Sequence, residues 1–162
     1  EIHRRLVGSE MCIRDRLGKV MQKILNARIS LLVLGLMMTL LGLGNLVGAE
    51  DWAKDQWTGA QGREVDIATS VELAWGTKIV TVGLTILILS FVLSGVARAR
   101  FGVIAIVLFL AGEIFTVSSL SAKGYGEDAS IPVLLIIVPL LITLWALVSC
   151  ATGWNEKSEE TT

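Results

Sequence analysis

Histidine, cysteine, proline and charge are all scarce in this sequence. Of 162 residues, one is histidine, two are cysteine, two are proline and 18% are charged. The histidine, His3, and one cysteine, Cys12, both fall within the first sixteen residues. Without histidine in 17–162, bis-histidine haem, histidine-ligated zinc or copper and Ser-His-Asp hydrolysis are excluded in their usual forms. The remaining Cys150 has no internal disulfide partner and reads as a small buried hydrophobe. No Walker A pattern is present, which excludes nucleotide-driven pumping within this chain. Basic residues are not in excess either. With 14 Lys and Arg against 15 Asp and Glu, the net charge of −1 argues against nucleic acid as a partner. No metal, cofactor or catalytic residue is assigned, and the chain reads as noncatalytic.

Apolar residues are abundant instead, at 53% of the chain with a mean hydropathy of +0.68. That is too apolar for an ordinary soluble domain or a disordered chain. The first sixteen residues share neither this composition nor any apolar period. From Leu6 onward they resemble the reading-frame translation of a transposon-based sequencing adapter, and they are set aside from fold reasoning. Met21 is a candidate native start. Residues 17–155 then read as one domain, followed by a polar tail at 156–162.

Within that domain the charges fall in bunches. No Asp, Glu, Lys or Arg occurs in the 21 residues of 29–49, the 19 of 79–97, or 129–155, and 101–122 carries only Glu113. At 1.5 Å per residue, a helix of about 19 residues reaches about 28 Å, close to the roughly 30 Å of a hydrocarbon core. Period-2 alternation is absent, so helices rather than a barrel satisfy the backbone in lipid. The expectation is an all-α integral membrane four-helix bundle with spans near 29–49, 79–97, 101–122 and 131–152. Lys19, Lys23, Arg28, Arg98, Arg100 and Lys157 fall on one side. Lys54, Arg63, Lys78 and Lys123 are spread along longer, acid-diluted loops on the other. The positive-inside rule places both termini in the cytoplasm, with Trp52, Trp57 and Trp75 at the outer interface and Trp154 at the inner one. Residues 19–49 also fit a signal peptide cleaved after Ala49, although 21 uncharged residues exceed the usual apolar region of about 7–15.

Small residues mark the packing faces, because close backbone approach is the main packing device in lipid. Gly35, Thr39 and Gly42 share one face of the first span, and Gly44 and Gly48 form a GxxxG. Gly83, Ser90, Ser94 and Ala97 line one stripe of the second. The glycines at 42, 44 and 48 also match a dinucleotide-binding pattern superficially, but they lie within an apolar span with no preceding strand. Arg98 to Arg100 forms the short link between the second and third spans, which are therefore antiparallel neighbours. Pro139 is expected to kink the fourth. In the long outer loop, Thr69 and Glu72 fit a capping box. Ile67, Val71 and Ala74 have the spacing of an amphipathic helix lying on the bundle mouth and running into span two. Its acids lack calcium-loop spacing and read as a solvated face.

Glu113 asks for a functional account. By position it lies near the middle of its span, where a charge costs at least about 2.5–3.5 kcal/mol. Thr39 and Thr85 fall at similar depth, with Thr143 slightly nearer the cytoplasm. One reading is a protonated carboxyl gluing helices through a hydroxyl or carbonyl. The other is an ion or proton path, for which none of the four spans supplies a second titratable group.

The run from Gly35 through Thr39, Gly42, Gly44 and Asn45 to Leu46 resembles the glycine-rich first helix of DoxX-like membrane proteins. Glu72-Leu-Ala-Trp-Gly76, followed by Gly83 and Leu84, looks like the Glu-Leu-x-x-Gly entry to their second helix. Asn45 departs from the basic residue common there, and the outer loop is longer and richer in Trp. The resemblance implies a four-helix bacterial inner-membrane protein, in some members an accessory subunit of quinone-linked oxidoreductases. The expected role is a noncatalytic accessory or scaffold subunit, partnered by the lipid bilayer and by other membrane subunits or a second copy. The alternatives are a small transporter or proton-coupled channel component using Glu113, and a quinone-linked oxidoreductase subunit.

Overall fold

The structure is a computed structural model that describes residues 25–125 and 132–154. The segment 1–16, Met21, Lys19, Lys23, Lys157 and the tail at 156–162 lie outside the described residues. Five helices follow one another: α1 (Ala27–Val47), α2 (Ala49–Gln56), α3 (Arg63–Val92), α4 (Gly95–Ser121) and α5 (Val133–Thr152). No strand occurs among the described residues. Helices α1, α3, α4 and α5 are each long and apolar enough to cross a membrane, the mark of a multi-pass membrane protein.

The helix boundaries differ from those drawn by charge. Helix α3 begins at Arg63, after Gly62, and runs 30 residues, roughly 45 Å. Thr69 therefore lies inside the helix rather than at its cap, and Glu72 turns inward instead of capping. The chain segment before α3 does carry a short helix, α2, but on 49–56 rather than 67–74. Ile67 and Ala74 are exposed, while the buried face of α3 runs through Ala68, Glu72, Gly76, Gly83, Ile86 and Ser90. In this setting small residues, not apolar ones, identify the side that meets a neighbour.

The link between α3 and α4 is Leu93–Ser94, not Arg98 to Arg100. Ser94 belongs to that link and Ala97 to α4, so neither extends the stripe of α3. Both link residues are extended, and Gly95 turns the chain at φ +50°, a conformation that favours glycine. Arg98, in the first turn of α4, donates through Nη2 to the Leu93 carbonyl and thereby closes the C-terminus of α3. Arg100 lays its guanidinium 5.8 Å from the Trp154 ring centroid. Charges mark where lipid ends, and long arginine stems let a helix continue past that point.

Helix α1 starts at an Asn26 cap, whose Oδ1 accepts from the Arg28 and Ile29 amides at 2.9 and 3.3 Å. Its main partner is α3. A Cβ on Gly35 would lie 2.9 Å from the Gly83 carbonyl oxygen, and one on Gly42 would lie 2.8 Å from the Val80 amide. From the other side, a Cβ on Gly83 would meet the Thr39 amide at 2.7 Å, and one on Gly76 the Gly42 carbonyl at 3.1 Å. Four glycines thus bring two backbones together. Gly44 is not among them, with nothing within 4 Å of its Cβ position, and Gly48 ends α1 beside Trp52. The GxxxG therefore makes no helix crossing.

Helix α5 packs against α1 and α4, whereas α4 touches α1 and α3 only lightly and is the least covered of the four. The shared core consists of Leu31, Leu34 and Met38 from α1, Ile86 from α3, Ile106 from α4, and Ala146 and Cys150 from α5. Cys150 is fully buried against Gly102. Helix α5 continues through Pro139, and the Thr143 hydroxyl donates to the Pro139 carbonyl at 2.7 Å.

Candidate functional site

The polar groups of these apolar helices gather at the end that carries α2. Along α3, Glu72, Trp75 and Lys78 are spaced three residues apart, so each step turns about 60° around the helix. Glu72 consequently faces α1, and Lys78 faces α4.

Glu72 is 2% exposed. Its Oε2 accepts from Asn45 Nδ2 of α1 at 3.1 Å, and its Oε1 from the Tyr125 hydroxyl, just past α4, at 2.5 Å. One carboxylate therefore ties three segments together. Tyr125 stands on Ala53 of α2 and Ala68 of α3, with Trp57 edge-on at 6.3 Å between ring centroids. No cation lies within ion-pair distance of Glu72 among the described residues. Asn45 Oδ1 is buried with no hydrogen-bond partner. Beside this cluster is a cavity of about 350 Å³ whose walls include Leu41, Asn45, Trp52, Glu72, Trp75 and Leu135.

Trp75 leads from that cavity to the second carboxylate. Its Nε1 donates to Glu113 Oε2 at 3.0 Å, and Lys78 Nζ lies 2.7 Å from Oε1. The lysine contact is an ion pair rather than an aligned hydrogen bond, since Oε1 accepts none. Glu113 lies two-thirds of the way along α4 from Gly95, toward the α2 end. A titratable partner thus stands within a span after all. Counting the apolar run from residue 79 places Lys78 in a loop, but α3 continues unbroken through it.

Glu113 and Thr85 line the same apolar cleft, about 430 Å³ between α3 and α4, with Ile104 and Phe109 also in its walls. The Thr85 hydroxyl donates to Thr81 O, Thr39 to Gly35 O and Thr143 to Pro139 O, each within its own helix. Trp75 and Lys78 are the groups that reach Glu113. Ser90 is buried and donates to Leu87 O. No cluster of three metal-ligating side chains occurs among the described residues. Two carboxylates held by donors on neighbouring segments can fix helices or grip a ligand.

The residues that sequence reasoning missed are Glu72, Asn45, Tyr125, Trp75 and Lys78. Glu72 did leave a signal, lying four residues from Ala68 and four from Gly76 on the small-residue stripe. Tyr125 left none, because its contact with Glu72 spans 53 residues of chain. No family model, curated protein or solved structure matches this chain.

Two expected results arise here. Burial, then the hydrogen bond and charge of Glu72, push the Tyr125 phenol well above the ordinary range. It is the chain's one tyrosine, so phenolate absorbance during alkaline titration reads it alone. No ionisation is expected near the usual pH of about 10 while the fold persists, and Glu72→Gln should lower the midpoint. Because the folded value is raised, the associated stability is complete below about pH 10 and is lost as the pH rises through the folded value. A normal midpoint in the folded protein would contradict this arrangement. Separately, Lys78→Met should cost about 1 kcal/mol, less than the 3–5 of a fully buried pair because the Lys78 side chain is 37% exposed. Adding Glu113→Gln should recover part of that loss in a double-mutant cycle of unfolding midpoints. Simple additivity would mean that the pair is not coupled.

Proposed function

We propose that this chain is a noncatalytic accessory or scaffold subunit of a membrane complex, in a bacterial cytoplasmic membrane with both termini inside. The observation that carries the reading is that buried Glu72 and half-buried Glu113 are both engaged in ties between segments. Glu72 joins α1, α3 and the turn after α4, while Glu113 joins α4 to α3. Ties of this kind fix helices to one another, which supports a structural role. The orientation rests on Arg28, Arg98 and Arg100 at one end and the more widely spread Lys54, Arg63, Lys78 and Lys123 at the other. The bacterial setting rests on the resemblance to DoxX-like proteins. Partners are other membrane subunits or a second copy, within the lipid bilayer.

The test is extraction in mild detergent followed by two successive separations. A stoichiometric complex that persists through both is expected, and a clean, ligand-free monomer would overturn the reading. A second reading, a small transporter or proton-coupled channel component, is favoured by the cleft that ends at Lys78 and Glu113. Flux in proteoliposomes that collapses in a folded Glu113→Gln variant would replace the first reading with this one.

A further inference from the structure

At the opposite end of the helices, the starts of α1 and α4 and the end of α5 surround a pocket of about 260 Å³. Its walls include Asn26, Arg28, Gly95, Arg98, Ser149 and Gly153. Arg28 and Arg98 act on one another electrostatically across it, and among the described residues neither has a carboxylate within ion-pair distance. Two like charges facing a shared space are unfavourable unless something negative lies between them. Arg98 spends Nη2 on the Leu93 carbonyl, but its Nε is buried and unpartnered. Ser149 is 1% exposed, and its Oγ also has no partner. A serine within a helix ordinarily donates to a carbonyl one turn back, as the threonines at 39, 77, 81, 85, 116 and 143 do here. Helix α4 has no side-chain cap, so its first amides add a partial positive charge at the same place.

We propose that this pocket is a binding site for a phosphate-type oxyanion, with Arg28 and Arg98 as its charge partners and the Ser149 hydroxyl as a donor. Two guanidiniums, an orphaned N–H and an orphaned hydroxyl free to donate match an oxygen-rich anion. Phe91, 5.5 Å from the Arg28 guanidinium, and Trp154 beside Arg100 give this end the aromatic and basic character of a membrane interface. The anion is the phosphate of an anionic lipid headgroup or free phosphate, and the two sources share the same chemistry.

The experiment uses the full chain in nanodiscs of phosphatidylcholine, with or without phosphatidylglycerol, and in detergent with inorganic phosphate against chloride. Unfolding midpoints and retained lipid, by native mass spectrometry, are the readouts. Stabilisation by phosphatidylglycerol alone assigns the site to a headgroup, and equal stabilisation by inorganic phosphate assigns it to the free ion. Ser149→Ala and Arg28→Gln should each weaken binding by about tenfold. The Ser149 hydroxyl bonds to nothing and the Arg28 side chain makes only an exposed contact with Phe91, so both variants should remain folded where Arg98→Gln, which releases the Leu93 carbonyl, would be less secure. Without the anion, Ser149→Ala should be at least as stable as the parent, because it removes a buried hydroxyl that bonds to nothing. Equal midpoints in phosphate, chloride and both lipid compositions would overturn the proposal, as would parental affinity in both variants.

Discussion

Gly83→Ala should cost about 3 kcal/mol, despite adding a single methyl group to an apolar helix. The new carbon would lie 2.7 Å from the Thr39 amide nitrogen and 3.0 Å from the Gly35 carbonyl oxygen. Both are backbone atoms, so no side-chain rotation relieves the clash, and α1 must move away from α3. Gly44→Ala and Gly112→Ala are the matched controls, because nothing lies within 4 Å of either Cβ position. Those changes should be neutral or stabilising by about 0.5–1 kcal/mol, the usual gain for replacing glycine within a helix. Loss of helicity on titration with a denaturing detergent reads all three. If Gly83→Ala unfolds together with Gly44→Ala, the close crossing of α1 and α3 is wrong.

Glu72→Ala should be equally damaging, at about 3 kcal/mol, for a different reason. It removes the one acceptor shared by Asn45 and Tyr125 and leaves two donors buried without partners. It also releases the turn after α4 from α3, so the effect extends beyond the site. Glu72→Gln should recover part of the loss, since its amide oxygen still accepts from one donor while its nitrogen confronts the other. The measurement is the unfolding midpoint of each variant, with proteolysis at the turn after α4 as a local readout. An unfolding midpoint unchanged in Glu72→Ala would remove Glu72 from the framework of the fold.

The four long helices were legible in the sequence because lipid demands uninterrupted apolar stretches of a fixed minimum length, and charge marks where they stop. The same rule misplaced their ends. The charge pattern puts Arg98 and Lys78 in loops, yet each lies within a helix whose backbone continues past the charge at its side-chain tip. Gly35, Gly42 and Gly83 could be singled out from spacing, whereas the openness of Gly44 depends on which way α1 is rotated. That rotation is set by a partner helix thirty or more residues away. The polar ties were the least legible part. Asn45, Glu72 and Tyr125 come from three separated stretches, and nothing local to any of them shows that they meet. Glu113 could be singled out as a costly charge, but Trp75 and Lys78 were hidden as partners because α3 was started too late.

The uneven closeness of the helix pairs also sets an order of assembly. Helices α1 and α3 are the first two long apolar elements in the described chain, and they form its tightest crossing. Their seam can be complete while α4 and α5 are still being synthesised, as insertion proceeds from the N-terminal side. Helix α4 then docks onto a finished pair through α5, the Trp75 and Lys78 contacts to Glu113 and the Tyr125–Glu72 bond, with little backbone contact to α1 or α3. Under stress the same unevenness predicts the reverse order, with α4 expected to separate first and the glycine-lined pair last.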